Sequence, residues 1–317
     1  GLGDIVRPVM TFLRNADAID ARYSIRRASR YNRITWEQIP GWDYRLGLAE
    51  GDDADDRSEE KTLTLDSGLK LTDDIRVKGS YKRTDQGSWT KNALPDSSIV
   101  FRETRTVNQS TGGSLSWNGI HKIGPLSGAF SSVRARSGAE LKRGHATKEG
   151  ELTSESRTFA MNPIVSVDAT FKNGLTGSFS WDRSRDRKFK YSSTGTASVT
   201  EVENGSMSVS LNYRFSAPQG LKLPFFGQKL KFQSNLDTSL TFRRSTSVSR
   251  TALDEEGLAQ VDPTSSKKDT SVTLDMTYSF SRNVSGGLRV NYGQDRDEKR
   301  TETEVHARLM TAPEFKF

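Results

Sequence analysis

The sequence predicts an all-β fold, an antiparallel up-and-down transmembrane β-barrel. Three observations predict it: apolar residues recur at every second position, the connections between these stretches are long and short by turns, and aromatic residues gather at stretch ends. Composition frames the reading. The 317 residues carry 47 basic and 40 acidic side chains, a formal charge of +7, and only 33% are hydrophobic; mean hydropathy is −0.68. Soluble domains spend about 45–50% of their residues on apolar types, so one large dry core is not expected. The 5 Trp, 8 Tyr and 15 Phe fall at regular intervals, which a disordered chain does not show. A membrane-spanning helix needs ~20 mostly apolar residues, and the longest uninterrupted apolar runs, such as 99–101, have three. Without cysteine there is no disulfide framework, zinc finger or thiol chemistry.

Each strand is justified by the period of two, because successive strand side chains point to opposite faces. In 271–280, Val272, Leu274, Met276, Tyr278 and Phe280 alternate with Ser271, Thr273, Asp275, Thr277 and Ser279. In 206–215, Met207, Val209, Leu211, Tyr213 and Phe215 alternate with Ser206, Ser208, Ser210, Asn212 and Arg214. In 163–171, Val165, Val167, Ala169 and Phe171 oppose Ser166, Asp168 and Thr170. Weaker copies occupy 19–25, 42–48, 63–69, 75–81, 100–117, 126–135, 175–181, 236–242, 284–292 and 305–309, giving about 13 strands with ends uncertain by ~2–4 residues. Ile5, Val9, Phe12 and Leu13 alone show helical spacing, with Pro8 among them. The expected organisation is a short helix or loop over 1–18, barrel strands and loops over 19–310, and a tail over 311–317. Gly1 is not a start methionine, so the chain is expected to be a portion of a longer one.

The connections carry the second signal. Residues 49–60, 83–98, 140–160, 183–204 and 244–269 read as long loops. Thr72-Asp73-Asp74, Lys172-Asn173-Gly174 and Ser281-Arg282-Asn283 read as tight turns, and 118–125 and 216–230 are intermediate. The connection over 29–41 fits the alternation least. Asn173-Gly174 is a strong hairpin signal, because a type I′ turn needs positive φ at both centres. Such alternation describes a meander whose two ends face different surroundings, as in outer-membrane barrels.

A strand crossing a bilayer needs ~9–11 residues with one face for lipid, and the sheet must close so that no edge is left unpaired in hydrocarbon. The expected lipid-facing residues are Val165, Val167, Val209, Leu211, Leu240, Leu274, Met276, Leu288 and Val290. The expected lumen-facing residues are Ser166, Asp168, Thr170, Ser208, Ser210, Asn212, Asp237, Ser239, Thr241, Thr273, Asp275, Thr277, Arg289 and Asn291. Aromatics at strand ends (Trp181, Tyr213, Phe215, Phe242, Tyr278, Phe280, Tyr292) suit headgroup depth at both rims. A soluble β-sandwich or surface adhesin, also half-polar by alternation, is the alternative.

Catalytic chemistry finds no support. There is no Gly-x-Ser-x-Gly elbow, Walker loop or zinc pattern, and His121, His145 and His306 are widely spaced. No catalytic residue, metal site or cofactor is expected. The acidic run Gly51-Asp52-Asp53-Ala54-Asp55-Asp56, with Glu59 and Glu60, offers oxygen ligands for calcium but lacks EF-hand spacing. The run Asp182-Arg183-Ser184-Arg185-Asp186-Arg187-Lys188 reads as a solvated loop or a contact for an anionic lipid or a cargo protein. The +7 charge is too dispersed to argue for nucleic acid.

Residues 163–175, with Pro163, Asp168, Thr170, Phe171, Lys172, Asn173 and Leu175 in order, resemble the C-terminal barrel region of SprA/Sov, the outer-membrane translocon of the type IX secretion system. Thr200-Glu201-Val202, Tyr213-Arg214-Phe215, the connector Leu221-Lys222-Leu223-Pro224-Phe225, and Leu240-Thr241-Phe242-Arg243 follow in the family's order. The likeness is clearest over 160–290. Residues 244–269 match nothing in it, and the tail runs past the family's last strand, so the chain reads as a divergent member. The resemblance implies a very large barrel, of which this is a C-terminal part, passing secreted cargo proteins across the outer membrane of a Gram-negative-type bacterium. It implies as partners membrane lipid, cargo, plug or cap proteins of the secretion machinery, and the remainder of the barrel upstream of Gly1. The long loops would be extracellular and the C-terminus periplasmic. About 13 strands, being odd, suit a portion of a barrel better than a closed one. Another outer-membrane barrel, a porin or a TonB-dependent-type receptor, is the nearer rival to this reading.

Overall fold

The computed structural model describes residues 16–30, 55–93, 99–192, 195–215, 221–222, 229–230, 236–279, 284–297 and 302–315. Twelve strands form one antiparallel sheet in which nearly every strand pairs with the next in the chain. They are β1 (Asp20–Arg30), β2 (Asp56–Lys70), β3 (Ile75–Ala93), β4 (Ile99–Asn118), β5 (Phe130–Lys148), β6 (Glu151–Phe171), β7 (Thr176–Ser192), β8 (Gly195–Phe215), β11 (Leu236–Ala252), β12 (Ser265–Ser279), β13 (Val284–Asp297) and β14 (Glu302–Phe315). A two-residue pair, β9 (Leu221–Lys222) and β10 (Lys229–Leu230), stands outside the sheet, so β8 pairs directly with β11. The sheet ends at β1 and β14, which do not pair with each other. It is an open up-and-down sheet, not a closed barrel.

Twelve of the alternating stretches fall one to a strand. The thirteenth, 42–48, lies outside the described residues, as do 1–15 and most of 216–235. Twelve is even, so the argument from an odd strand count falls away. β14 reaches Phe315, so most of the expected tail pairs with β13.

The largest difference concerns the long connections, which are themselves mostly strand. Residues 140–160 form the ends of β5 and β6, joined only by Glu149 and Gly150. Both take positive φ, 54° and 82°, as a two-residue turn that follows the right-handed strand twist requires. Residues 183–192 and 195–204 likewise belong to β7 and β8. Strands of 19–21 residues such as β4, β5, β6 and β8 are about twice what a bilayer crossing needs. What alternates is therefore the overhang of the ladders.

Local chemistry sets the remaining departures. Residues 126–129 were expected as strand but form one helical turn, α1 (Leu126–Ala129). Pro125 fixes the entry at φ −66°, and Ser127 Oγ donates to the Gly124 carbonyl at 2.9 Å. Asn173 and Gly174 lie between β6 and β7, but only Gly174 has positive φ, 86°. The Gly174 N–H donates to the Phe171 carbonyl, and Asn173 Oδ1 accepts from the Leu175 N–H at 3.1 Å. The turn is thus a type I turn followed by a left-handed glycine, not the expected type I′ pair. Pro163 sits inside β6, where it has no N–H to give a ladder. Both ladders of β6 shift register there, between Met161 and Val165 on one side and Arg136 and Glu140 on the other, which is how a sheet tolerates an interior proline.

Among the described residues no second layer covers this sheet. The surface is 22687 Å², against about 13000 Å² for a compact chain of this mass. The buried apolar side chains among the described residues are Val107, Val133, Ala160, Phe189, Val199 and Leu258.

Candidate functional site

Ladder pairing assigns side chains to faces, since residues opposite each other in register share one. One row runs Val167, Phe179, Val209, Phe242, Val272, Tyr292 across β6–β13. The next runs Ala169, Gly177, Leu211, Leu240, Leu274, Val290, and below it Met276 stands beside Leu288. The nine residues expected to face lipid therefore share one surface. The fourteen expected to face a lumen share the other: Asp168, Ser210, Thr241, Thr273 and Asn291 lie in one row, and Thr170, Asn212, Ser239, Asp275 and Arg289 in the next.

Among the described residues nothing covers the apolar surface. Tyr23, Val77, Leu115, Trp117, Trp181, Leu211, Leu240, Val290 and Tyr292 are all exposed on it, from 36% at Val77 to 62% at Tyr23. On β8 this surface is apolar from Phe215 to Met207, a run of nine residues, the length of a bilayer crossing. Its lower rim carries Tyr213 packed edge-on against Phe215, with ring centroids 4.4 Å apart, and its upper rim carries Trp181 beside Met207.

The opposite surface is mainly polar and bridged from strand to strand. Arg136 Nη2 donates to Asp168 Oδ2 at 2.7 Å, Arg214 pairs with Asp237 and Arg289 with Asp275. Arg136 and Asp168 are each about half exposed, so these pairs stand in water and contribute about 0–1 kcal/mol each. Three depressions open mainly on this surface, the largest around Gly68, Gly112, Gly113 and Gly138. Such hollows suit the inside of a curling sheet, where absent side chains leave room.

Above the apolar band the same outer surface becomes ionic and acquires a small core. Phe189 and Val199 face each other in register and are buried with Leu258 from the β11–β12 connection. The Arg157 guanidinium lies 4.8 Å from the Phe189 ring centroid. Glu201, 4% exposed, accepts from Arg187 Nε at 2.6 Å and has Arg185 and Arg250 at 3.5 and 3.7 Å. Arg187 also reaches Glu255, so the connection is tied down over the sheet. The hydrogen bond from Arg185 holds the Glu203 carboxyl below its ordinary range, and that from Arg157 does the same for Glu155. Residues 183–188, which the sequence places in a loop, lie within β7. Arg183, Arg185 and Arg187 do alternate, but a search for apolar residues at every second position cannot register an alternation written in charges.

The remaining candidates do not converge. Asp56, Glu59 and Glu60 lie on β2, where neighbours point to opposite faces, and Glu59 is held by Arg27 and Lys61; residues 51–54 lie outside the described residues. His121 Nδ1 accepts from the Val133 N–H at 3.3 Å. Among the described residues no three His, Asp or Glu side chains are placed to hold a metal ion, and no helix is long and apolar enough to cross a membrane.

No protein-family model and no curated protein matches the sequence. Similar solved structures include the outer-membrane transporter YddB from Escherichia coli, at 13% identity over 80% of this chain and 36% of that one, with TM-score 0.46. The FpvAI–pyocin S2 complex matches at 12% identity over 80% and 38%, TM-score 0.43. The β domain of the Bordetella autotransporter BrkA matches at 8% over 94% and 98%, TM-score 0.30. The chain spans little more than a third of the length of the first two.

Proposed function

We propose that the chain forms part of the wall of an outer-membrane β-barrel whose lumen passes proteins, as the SprA/Sov resemblance implies. One observation carries the membrane reading: a single uncovered apolar surface runs across the sheet, backed by a polar one. Leaving a large apolar side chain in water forgoes about 1.5–3 kcal/mol. For the nine residues named above, each about two-fifths to three-fifths exposed, the loss is on the order of 10 kcal/mol, comparable to the net stability of a whole domain, about 5–15 kcal/mol. Hydrocarbon on that surface removes the loss. A covering protein layer would also remove it, but would not require a band one bilayer strand tall that gives way to ions above.

The translocon reading is supported by the order of matching segments over 160–290 and by the hydrated, ion-bridged polar surface, which suits passage of a polar chain. In this reading the overhanging ladders point outward, the short turns and the C-terminus lie in the periplasm, and plug or cap proteins close the lumen. Cargo and the rest of the barrel are its other partners.

The test compares adjacent residues of β12 in the full-length protein. Leu274→Arg puts a charge on the apolar surface, at a cost of about 2–4 kcal/mol at the bilayer midplane, and is expected to abolish assembly into the outer membrane. Thr273→Arg, on the polar surface, is expected to assemble normally. Equal behaviour of the two overturns the membrane reading. For the finer reading, cells lacking the protein should retain cargo in the periplasm; normal secretion with a lost nutrient uptake assigns the barrel to a receptor instead.

A further inference from the structure

We propose that the outer surface directly above the apolar band binds the phosphate groups of anionic lipid through Arg183, Arg244, Lys268 and Arg296. This rests on the reading of that surface as membrane-facing. The top row of the band runs Val165, Trp181, Met207, Arg244, Thr270, Gln294, and the row above it Met161, Arg183, Gly205, Thr246, Lys268, Arg296. These two rows hold four cations and, among the described residues, no carboxylate. The acids of the same stretch are Asp182, Asp269 and Asp295. Each is the chain neighbour of one of the cations, and alternation turns each to the polar surface. There Asp182 accepts from Ser180 and Ser206 at 3.1 Å, and Asp269 from Ser245 at 3.2 Å. Strand geometry thus turns these three acids to the polar surface and leaves the four cations on the other.

The three outward arginines are poorly compensated. Neither Arg244 nor Arg296 has an ion-pair partner among the described residues, and the nearest acid to Arg183, a side chain 63% exposed, is Glu203 at 3.9 Å. Lys268 enters by register alone: it stands directly opposite Arg296 and diagonal to Arg244. Arg244 and Arg296 thus present charge on this surface that an anion can balance. The depth selects the anion. These side chains emerge at the rim marked by Trp181, where lipid phosphates lie, and guanidinium groups match phosphate in a two-point fork.

The experiment uses the full-length protein in nanodiscs of phosphatidylcholine containing a small fraction of lipid A, with the lipid A retained per protein after detergent extraction as the readout. Wild type should retain lipid A in a salt-dependent way. The triple variant R183Q/R244Q/R296Q should retain at least tenfold less, and R183K/R244K/R296K should keep most of it. Arg243→Gln, which removes a base from the polar surface beside Arg244, should change nothing. Equal retention by the triple glutamine variant, or equal loss in Arg243→Gln, overturns the site. Inorganic phosphate binding as tightly as lipid A overturns the lipid assignment. If wild type itself fails to enter nanodiscs, the membrane reading fails, and not merely the lipid site.

Discussion

The two ends of β8 share one face and the same neighbouring strands, yet they are built for different surroundings. From Met207 to Phe215 that face is apolar, uncovered and free of charge. From Val199 to Glu203 it carries two carboxylates, four nearby arginines and a buried valine under Leu258. Hydrogen bonding is the same ladder in both halves, so backbone pairing does not explain the contrast. The side chains do. In the upper half the protein supplies its own cover by folding the β11–β12 connection back over the sheet. In the lower half the described residues supply none, and in the proposed reading hydrocarbon takes that place.

The strongest test of this contrast places one charge in each half. Val290 and Gln294 lie on β13, on the same surface, and both are exposed. Val290→Arg should destabilise the membrane-inserted state by about 2–4 kcal/mol, read as loss of the folded species in membranes. Gln294→Arg, at the rim, should shift it by less than about 0.5 kcal/mol. If both are harmless, the two halves meet the same medium.

The lower half was legible in the sequence because its chemistry is binary. Val, Leu, Met and Phe against Ser, Thr, Asp and Asn at period two place 163–171, 206–215 and 271–280 in strands and sort their faces. The upper half was read as loops, since the same period persists there in other letters: Arg183, Arg185 and Arg187 on one surface, Ser184, Asp186 and Lys188 on the other. A charged residue gives no sign of which side is wet when both are. Turn chemistry misled in a related way. Asn173-Gly174 is the stronger local signal, but Glu149-Gly150 closes the two-residue turn with both φ values positive, because ladder register, not local preference, sets the turn's length.

A middle-sized effect is expected at Glu201. Glu201→Ala removes the acceptor shared by Arg185, Arg187 and Arg250 and leaves two partly buried guanidinium groups short of a partner, at a cost of about 1–3 kcal/mol. The loss should stay local. Limited proteolysis should cut faster around 253–264, where Leu258 and Glu255 lose their anchorage, while assembly of the band is unchanged. If assembly fails as well, the halves fold as one unit and the contrast is one of composition only.

The smallest effect separates the halves by pH. Arginine hydrogen bonds lower the carboxyl values of Glu155, Glu203 and Asp85, through Arg157, Arg185 and Arg105 respectively. A carboxyl whose folded value is depressed binds fewer protons folded than unfolded near its ordinary value of about 4, so it stabilises fully above that value. The contribution is lost as pH falls through the depressed values. Each pair is worth about 0–1 kcal/mol at this degree of exposure. Protease resistance of the overhang should therefore be flat from pH 8 to about 5 and weaken progressively below about pH 4, while the apolar band, with no carboxylate or imidazole on its surface among the described residues, holds its fold. Overhang resistance that declines already above pH 6 would remove these carboxylates as the source.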